Sequence, residues 1–434
     1  MIIHVVQPGE TIISISEYYQ IPVDRLILEN GITNPNNLAV GQTIVIVQPE
    51  TLYTVQPGDT LESISVQFEV SPLEILRNNP YLSDRRFMMA GETIVISYQT
   101  DKIRTLATIG YTFTYIDRSV LTKTLPFLSY LSIFNYRATG DGQIIASGDD
   151  SELIQLAISY GVAPLMLIST MSEEGTVNRE VNNRILNDSS VQDQLINNTL
   201  QIMRTKGFYG INIYLENITS ENTNSIVEYL EKASERFRLE GYIIMITITP
   251  VLGDFSIGFE KVDYSRLSKF VDGVIFGSYD WARTSNYPSA IYPVNILRDL
   301  LDYMVNTIPP EKNYLGITAL GYDWSLPYVP GATEATAITY NRAVQIAAEN
   351  GIAIQFNDAA QSAYFYYMDS AGNLHIVWTK DARSFDARAS LVAEYNFHGL
   401  SLWTIMRFDA QMWFVINAQY YIEKVVGVTS QSCV

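Results

Sequence analysis

The feature that most constrains the fold is a regular alternation of short apolar segments and longer amphipathic segments over residues 103–425. The short segments predict buried strands, and the longer ones, such as Asn222–Glu240 before Gly241, predict helices. Eight such β–α steps are the sequence form of a (β/α)8 TIM barrel in an α/β protein. A doubly wound open sheet is the alternative, although a Gly-rich phosphate loop after the first strand is missing. The predicted strands are Ala107–Tyr111, Tyr130–Asn135, Ala163–Ser169, Gly210–Glu216, Tyr242–Thr249, Gly273–Ser278, Tyr314–Ala319 and Leu400–Ile405.

One region, residues 322–382, interrupts this alternation after the seventh strand because it is too long for a βα loop. It contains a predicted helix, Thr333–Asn350, and two strand-like runs, Tyr364–Asp369 and His375–Lys380. The two runs flank Ser-Ala-Gly-Asn, which is a hairpin turn signal. The sequence therefore predicts a small α+β insertion, after which a helix at Ser384–Asn396 leads to the last strand.

The fourth predicted strand lies within Gly207–Asn217 and alternates between two kinds of side chain. One face carries Ile211, Ile213 and Leu215, and the other carries Asn212, Tyr214 and Glu216. A polar face of this composition suits the inside of a barrel near its rim, where the last residue can reach a substrate. Glu216 is therefore a candidate catalytic acid, and an ordinary surface glutamate is the competing interpretation.

The first hundred residues contain an internal repeat. Val-Gln-Pro-Gly-Glu-Thr at Val6–Thr11 recurs as Val-Gln-Pro-Gly-Asp-Thr at Val55–Thr60, and each copy closes with an apolar strand announced by Gly41 or Gly91. A repeat of this length indicates tandem modules, here residues 1–48 and 49–98. Each copy predicts the order strand, helix, helix, strand, with its Thr as the N-cap of the first helix.

Each copy resembles the LysM module in its start, in its closing strand and in the asparagine that ends its second helix. The resemblance implies binding of peptidoglycan or another N-acetylglucosamine-containing glycan in a groove beside the start of the first helix. Residues 1–98 hold four Arg, no Lys and eleven Asp plus Glu, so attraction to a polyanion is not the binding force. The implied glycan-binding residues are Gly9, Glu10, Thr11, Asn30, Gly58, Asp59, Thr60 and Asn79.

Composition excludes several classes of partner. The net charge of −18 disfavours nucleic acid and anionic membranes, and the chain lacks an apolar run long enough for membrane insertion. Cys433 has no second cysteine to pair with, and the three histidines lack metal-ligand spacing. We therefore predict no metal and no organic cofactor, and we favour a monomer. The N-terminus lacks the pattern of a secretory signal peptide.

Residues 103–434 resemble family 18 glycoside hydrolases. The family signature on strand four is D-x-x-D-x-D-x-E, and aligning its Glu with Glu216 places Tyr209, Asn212 and Tyr214 at the Asp positions. The strand-six motif M-x-Y-D corresponds to Gly-Ser-Tyr-Asp, which ends at Asp280. The strand-eight tryptophan of the family corresponds to Trp403.

The resemblance implies a retaining mechanism in which the acetamido group of the substrate replaces a carboxylate nucleophile. Glu216 would then protonate the leaving oxygen, while Tyr279 and Asp280 hold the acetamide. Trp403 would stack on the sugar ring. Further candidate substrate-binding residues are Asn212, Tyr214, Trp281 and Tyr111.

Together with two LysM modules, this resemblance implies a β-N-acetylglucosaminidase that hydrolyses spore cortex peptidoglycan and resides in the spore. Two alternatives stay open: a chitinase, and an inactive peptidoglycan-binding coat protein. The second arises because Tyr214 replaces an Asp that orients the acetamide in the family, and tyrosine carries no charge at neutral pH. The sequence does not distinguish endo from exo cleavage.

Overall fold

The architecture was established from a computed structural model, which describes residues 1–85, 87–171, 178–215, 218–249, 262–277 and 287–427. The chain forms two small modules, a closed parallel barrel and a second sheet that rises from one barrel connection. The predicted fold class, a TIM barrel with an insertion after its seventh strand and two βααβ modules before it, is confirmed.

The two N-terminal modules share one local design. Thr11 and Thr60 cap their helices as predicted, because each side chain accepts from the main-chain N–H of a serine three residues later. The two strands of each module pair antiparallel. Module 1 contains β1 Ile2–Val5, α1 Ile12–Tyr19, α2 Val23–Asn30 and β2 Thr43–Ile46; module 2 contains β3 Pro49–Thr54, α3 Leu61–Phe68, α4 Pro72–Asn78 and β4 Thr93–Tyr98.

Eight parallel strands close into a barrel, because β5 pairs with both the second and the last strand of the ring. All eight correspond to predicted strands. In ring order they are β5 Arg104–Phe113, β6 Tyr130–Ala138, β8 Ala163–Ser169, β9 Gly210–Leu215, β10 Ile243–Ile248, β11 Gly273–Phe276, β12 Asn313–Ile317 and β18 Gly399–Leu402. Two short strands extend the ring: β7 Ile144–Ala146 pairs with β6, and β19 Tyr420–Ile422 pairs with β5.

Helices surround the barrel and bury the outward apolar face of each strand. Ile211 and Ile213, for example, lie in the cluster between strands and helices, whereas Tyr214 lies in the separate cluster inside the barrel. None of the helices in the described ranges combines the length and apolar character needed to cross a membrane. The helices around the barrel are α5 Arg118–Thr124, α6 Ser151–Ser159, α7 Arg179–Asn187, α8 Ser189–Lys206, α9 Thr223–Arg238, α10 Ser265–Ser268, α11 Val294–Val305, α13 Ala382–Glu394 and α14 Ala410–Gln419, with 3-10 turns at Leu125–Phe127 and Pro310–Lys312. A further 3-10 turn, Pro80–Leu82, belongs to module 2.

The connection between β12 and α13 forms a five-stranded antiparallel sheet with one helix. Its elements are β13 Gly321–Leu326, β14 Thr336–Ile338, α12 Tyr340–Glu349, β15 Gln355–Asn357, β16 Ser362–Met368 and β17 Leu374–Thr379. The helix predicted from Thr333 begins only at Tyr340, so its first two turns were wrong. Thr336–Ile338 instead pairs with β13, and Thr339 then caps the helix by accepting from the Arg342 N–H.

Both modules pack against α14 of the barrel. Gln411 Nε2, on the first turn of α14, donates to Asn30 Oδ1 and to the Thr43 carbonyl of module 1. Near the other end of α14, Asn417 Nδ2 donates to Asn78 Oδ1 of module 2 at 2.9 Å. One barrel helix therefore fixes the position of both repeats through buried, directional hydrogen bonds.

The modules also contact each other through a buried carboxyl group. Tyr98 OH of module 2 donates to Glu29 Oε1 of module 1 at 2.8 Å, and Arg25 Nε lies 3.6 Å from the same oxygen. Burial raises the pKa of Glu29 to about 7, and the Tyr98 hydrogen bond and the charge of Arg25 offset part of that shift. The junction between the modules thus holds a group that titrates near neutral pH.

Candidate active site

A ring of hydrogen bonds lies inside the barrel around Asn212, in the middle of β9. Asn212 Nδ2 donates to Tyr111 OH at 3.0 Å and to Ser132 Oγ at 3.1 Å. Thr247 Oγ1 donates to Asn212 Oδ1 at 2.8 Å. Because this bond uses the one hydrogen of the Thr247 hydroxyl, the Tyr111 hydroxyl donates in the short hydrogen bond between Tyr111 and Thr247. Four strands are tied together at this level, and the sequence prediction that Asn212 faces the barrel interior is confirmed.

Tyr214 lies one step further along β9 on the same face. Its side chain packs inside the barrel and is almost entirely buried, and its hydroxyl lies 3.1 Å from Thr249 Oγ1. Because strand side chains alternate, Asn212 and Tyr214 line the path toward the mouth at the carboxyl end of the strand. The hydroxyl of Tyr214 offers a hydrogen bond there but no negative charge.

Trp403 follows β18 and forms an aromatic wall at the mouth of the barrel. Its ring centroid lies 5.4 Å from that of Tyr111, 6.4 Å from Phe113 and 5.6 Å from Phe134. The Trp403 side chain is half-buried, and the peptide bond to the next residue is cis. The structure thus brings two predicted substrate-binding residues, Trp403 and Tyr111, into direct contact beside the Asn212 ring.

Two further aromatic residues belong to this wall and were missed from the sequence. Phe113 packs against Phe134 at 4.9 Å, and the ring of Tyr115 stacks on Phe113 at 5.4 Å and 20°. Tyr115 is 75% exposed, so its ring is available at the rim. The spacing of two residues from Tyr111 to Phe113 to Tyr115 was the available signal, because strand side chains at that spacing share a face.

Four predicted site residues lie outside the described residues: Glu216, Tyr279, Asp280 and Trp281. Glu216 immediately follows Leu215, the last residue of β9, and is two positions after Tyr214 in the sequence. The other three follow β11 in the sequence. Across the described ranges, no group of His, Cys, Asp and Glu side chains is arranged to hold a metal ion.

In the modules, the predicted glycan-binding turns are exposed at the start of the first helix. Gly9 and Gly58 adopt φ of +87° and +93°, which glycine tolerates without strain. Glu10 Oε2 accepts from the Gln7 N–H at 2.7 Å, and this bond, followed by the contact with His4, lowers the Glu10 pKa. Asp59 occupies the same position in module 2.

The acidic residue has a different side-chain partner in each module. Asp59 Oδ2 accepts from the Gln56 N–H and from Tyr53 OH, both at 2.7 Å. Each carboxylate therefore closes its own turn, and the capping threonines Thr11 and Thr60 are engaged with their helices. A glycan at these turns would meet main-chain groups and the exposed edges of these side chains.

The two predicted asparagines are buried inside their modules. Asn30 donates to the Leu26 and Val45 carbonyls and accepts from the Val45 N–H at 2.6 Å. Asn79 makes the same three kinds of bond in module 2, including donation to the Val95 carbonyl at 2.7 Å. Both side chains therefore link the second helix of their module to its closing strand. This structural role accounts for the asparagine in both modules without contact to a ligand.

Comparison with known protein families gives matches for both parts of the chain. Residues 175–407 match the glycosyl hydrolases family 18 profile. Residues 4–47 and 53–97 match the LysM domain profile. The first match covers most of the barrel, and the second covers the two modules.

Individual relatives match over nearly the whole chain. The chain is 30% identical to the cortical fragment-lytic enzyme of Bacillus subtilis, over 98% of this chain and 99% of that protein. Among solved structures, it is similar to the spore cortex-lytic enzyme SleL of Bacillus megaterium, with a TM-score of 0.79, 29% identity and coverage of 97% and 98%. The SleL structure from Bacillus cereus gives a TM-score of 0.80, 27% identity and coverage of 98% and 99%.

Proposed function

Because the chain belongs to the glycosyl hydrolases family 18, we propose that it is a peptidoglycan hydrolase of the spore that cleaves cortex glycan as a β-N-acetylglucosaminidase. Support comes from relatives named as cortical fragment-lytic enzymes, which match this chain from the LysM modules through the barrel. The LysM modules bind the glycan, and the barrel hydrolyses it. The spore location rests on these relatives.

The proposed reaction needs one acid and a means of holding the substrate acetamide. Glu216 donates its proton to the leaving glycosidic oxygen while the acetamido oxygen of the substrate attacks the anomeric carbon. Tyr279 and Asp280 hold the acetamide in that position. Water then attacks the anomeric carbon, gives a proton to Glu216 and displaces the acetamido oxygen, so the acetamide is restored and the β configuration is retained.

The observation that carries the proposal is the aromatic wall of Trp403, Tyr111, Phe113 and Phe134 at the barrel mouth. Aromatic faces bind the apolar faces of sugar rings, and this wall stands at the carboxyl end of the strands, where TIM-barrel enzymes place their chemistry. Beneath it the Asn212 amide uses both of its N–H groups and its oxygen in hydrogen bonds, which hold this side chain in one orientation under the wall.

Tyr214 stands at the position where the family motif has an aspartate. Its hydroxyl lies 3.1 Å from Thr249 Oγ1, and a tyrosine hydroxyl can both donate and accept a hydrogen bond. We propose that Tyr214 performs the orienting task of the aspartate by hydrogen bonding without charge. The barrel is then catalytically competent with a neutral group at this position.

The test is incubation of the protein and its Glu216→Gln variant with solubilised spore-cortex fragments, followed by mass spectrometry of the products. The unaltered protein is expected to yield fragments that end in reducing N-acetylglucosamine, and Glu216→Gln to yield none. Glu221→Gln is the matched control, because Glu221 is an exposed glutamate of the same connection and its replacement should leave turnover unchanged.

Two results would contradict the proposal. Fragments that end in reducing muramic acid would assign cleavage to the other glycosidic bond of the glycan. Substantial turnover by Glu216→Gln would place the acid elsewhere. Chitin oligomers in a parallel reaction distinguish the chitinase alternative, because a cortex enzyme accepts muramic acid or its lactam beside the cleaved bond and a strict chitinase does not.

A further inference from the structure

A cavity of about 1200 Å³ lies where the two modules, the insertion and the barrel meet. Its walls include Leu28 of module 1, Leu52 of module 2, Asn341 of the insertion and Phe408 of the barrel. Pockets that hold small ligands occupy about 300–1,000 Å³, so there is room here for a small molecule or a short peptide. We call this space the junction cavity.

The junction cavity is separate from the predicted glycan-binding turns. Module 1 contributes the junction between α1 and α2, with Pro22, and module 2 contributes the end of α4, with Arg77. The turns at Gly9 and Gly58 instead precede the first helix of each module, and neither is among the described residues that line the cavity. A ligand in the cavity would therefore leave both turns accessible.

Two arginines, one from each module, line the junction cavity with hydrogen-bond donors to spare. Arg77 Nη1 donates to the Pro126 carbonyl at 3.2 Å, whereas Arg77 Nε has no hydrogen-bond partner among the described residues. The Arg25 side chain is 11% exposed; its Nε lies 3.6 Å from Glu29 Oε1, and its Nη1 has no partner within the described ranges. Buried charged donors without acceptors are costly, so both groups favour an anion that enters the cavity.

The two arginines are held close to each other by one tyrosine. Tyr98 OH lies 2.8 Å from Glu29 Oε1, one helical turn after Arg25, and 3.4 Å from the carbonyl oxygen of Asn78, which follows Arg77 in the sequence. The Tyr98 ring also packs against α14 of the barrel. The helices that carry the two arginines therefore meet at a fixed position in the cavity wall.

The acidic groups of the junction cavity cancel only part of this positive charge. Burial raises the pKa of Glu29 to about 7, so its carboxyl group is partly protonated at neutral pH. Burial lowers the pKa of Arg77 only to about 10, so this guanidinium stays charged. Asp409 is engaged at the start of α14, where it accepts from the Met412 N–H at 2.9 Å. The charged lining residues are Asp24, Arg25, Glu29, Arg77, Lys123, Arg407 and Asp409.

Apolar side chains surround these charges. Leu28 is 54% exposed and Leu52 is 49% exposed, so each module presents a leucine to the cavity, and Phe408 adds an aromatic ring from the barrel. A ligand that matches this lining has one anionic group and a small apolar body. A strongly charged polyanion does not match, because the chain as a whole has a net charge of −18.

We propose that the junction cavity binds a short peptide that ends in a free carboxylate, with Arg25 and Arg77 as the donors to that carboxylate and Leu28 and Leu52 as contacts for small apolar side chains. Hydrogen bonds between guanidinium and carboxylate groups are charge-assisted and therefore strong. The inference rests on the proposed function only for the source of the ligand, since peptidoglycan carries short peptides of this kind on its glycan strands.

The first experiment measures binding of N-acetyl-alanyl-alanine to the full chain by isothermal titration calorimetry. The C-terminal amide of the same dipeptide lacks the charge and should bind at least about tenfold more weakly. Arg25→Gln and Arg77→Gln should each weaken binding of the acid about tenfold. Arg85→Gln is the matched control, because Arg85 pairs with Glu92 outside the cavity, and it should stay within about twofold.

A further variant guards against loss of folding in the arginine variants. Leu28→Ala changes an exposed side chain and should weaken binding of the acid about threefold, whereas Leu239→Ala, an exposed leucine of the barrel, should leave it unchanged. Equal binding of the acid and the amide, or full affinity in all three cavity variants, would overturn the proposal. N-acetylmuramic acid is a third probe, and tighter binding of this sugar acid than of the dipeptide would overturn the assignment to a peptide.

Hydrogen exchange locates the bound probe. Saturating N-acetyl-alanyl-alanine should slow exchange in peptides that cover residues 20–31 and 77–82, and the amide at the same concentration should not. Protection confined to other parts of the chain would overturn the proposed site. Because these measurements need no turnover, loss of hydrolysis with dipeptide binding intact would refute the proposed enzymatic function alone, and intact hydrolysis without dipeptide binding would refute this inference alone.

Discussion

The contact between module 1 and the insertion can be broken by one methyl group. Gly41→Ala places a Cβ atom 2.0 Å from the Ile354 carbonyl oxygen, and the nearby main chain cannot yield by rotating a side chain. Gly91→Ala is the matched control, because its φ of +90° is close to the +83° of Gly41 but its Cβ position is open to the described residues around it. The left-handed strain of alanine, about 1–2 kcal/mol, is common to both variants and cancels.

The remaining difference can be estimated from the contacts at Gly41. If the segment around Gly41 moves away from the insertion, the hydrogen bond from the Ile354 N–H to the Val40 carbonyl is lost, which costs about 1 kcal/mol net. Overpacking at a buried position adds about 1–3 kcal/mol. We therefore expect Gly41→Ala to weaken the docking of module 1 on the insertion by about 2–4 kcal/mol more than Gly91→Ala.

The assay must be local, because a chain with several units need not unfold in one step. Hydrogen exchange of a peptide that contains Ile354 reports whether its N–H is released from Val40. Exchange there should be about 30- to 700-fold faster in Gly41→Ala and unchanged in Gly91→Ala, since about 1.4 kcal/mol is tenfold. Equal protection of Ile354 in both variants would refute the reasoning that close contact with Ile354 holds the segment around Gly41 in place.

Three further predictions concern the barrel and the junction between the modules. Asn212→Ala should lower the free energy of unfolding by about 2–4 kcal/mol in urea, because it leaves buried hydroxyl groups unpaired, whereas Ser132→Ala removes one bond and should cost about 1 kcal/mol. Trp403→Ala should lower kcat/KM on cortex fragments about tenfold or more while Trp403→Phe keeps most of it, since stacking needs an aromatic face; equal activity of the two would contradict a stacking role. Glu29→Gln should be more stable than the unaltered protein at pH 8 by roughly 3 kcal/mol and equally stable near pH 4.5, while the exposed Glu17→Gln should show no such trend across a pH series of thermal melts.

The sign of the Glu29 prediction follows from its raised pKa. The folded chain holds the proton up to about pH 7, and the unfolded chain releases it near the ordinary value of 4.5. Stability from this group is therefore fully present below pH 4.5 and is lost as the pH rises to about 7. Glutamine cannot lose a proton, so the variant keeps what the unaltered protein loses.

The barrel could be predicted because its signals are local. Each strand is a short apolar run, and the alternation of Ile211 and Ile213 with Asn212 and Tyr214 is enough to assign the two faces of β9. The β14 strand was missed because three residues, Thr336–Ile338, carry too little pattern to compete with the helical periodicity that follows. Their strand conformation comes from pairing with β13, which is a tertiary effect.

The difference in what packs against the two modules could not be predicted for the opposite reason. The repeats look alike because Asn30 and Asn79 hold each module together internally, and that requirement is the same in both. What separates them is the surface of another part of the chain, at Ile354, more than three hundred residues after Gly41. The residues that recur in both repeats are those that each module needs in order to fold. They carry no information about which other part of the chain packs against each module.

The hydrogen bonds from α14 to both modules have a consequence for how the enzyme would work on an insoluble substrate. A flexible linker lets a catalytic unit sweep a sphere around its anchor, so that bonds at many distances are cleaved. Here Gln411 and Asn417 hold both modules against one barrel helix, and the anchor and the active site move as one body. The distance between the glycan bound at the modules and the glycosidic bond cleaved in the barrel would then be fixed by the structure of the protein, so cleavage would occur at a set distance along the glycan from the point of attachment.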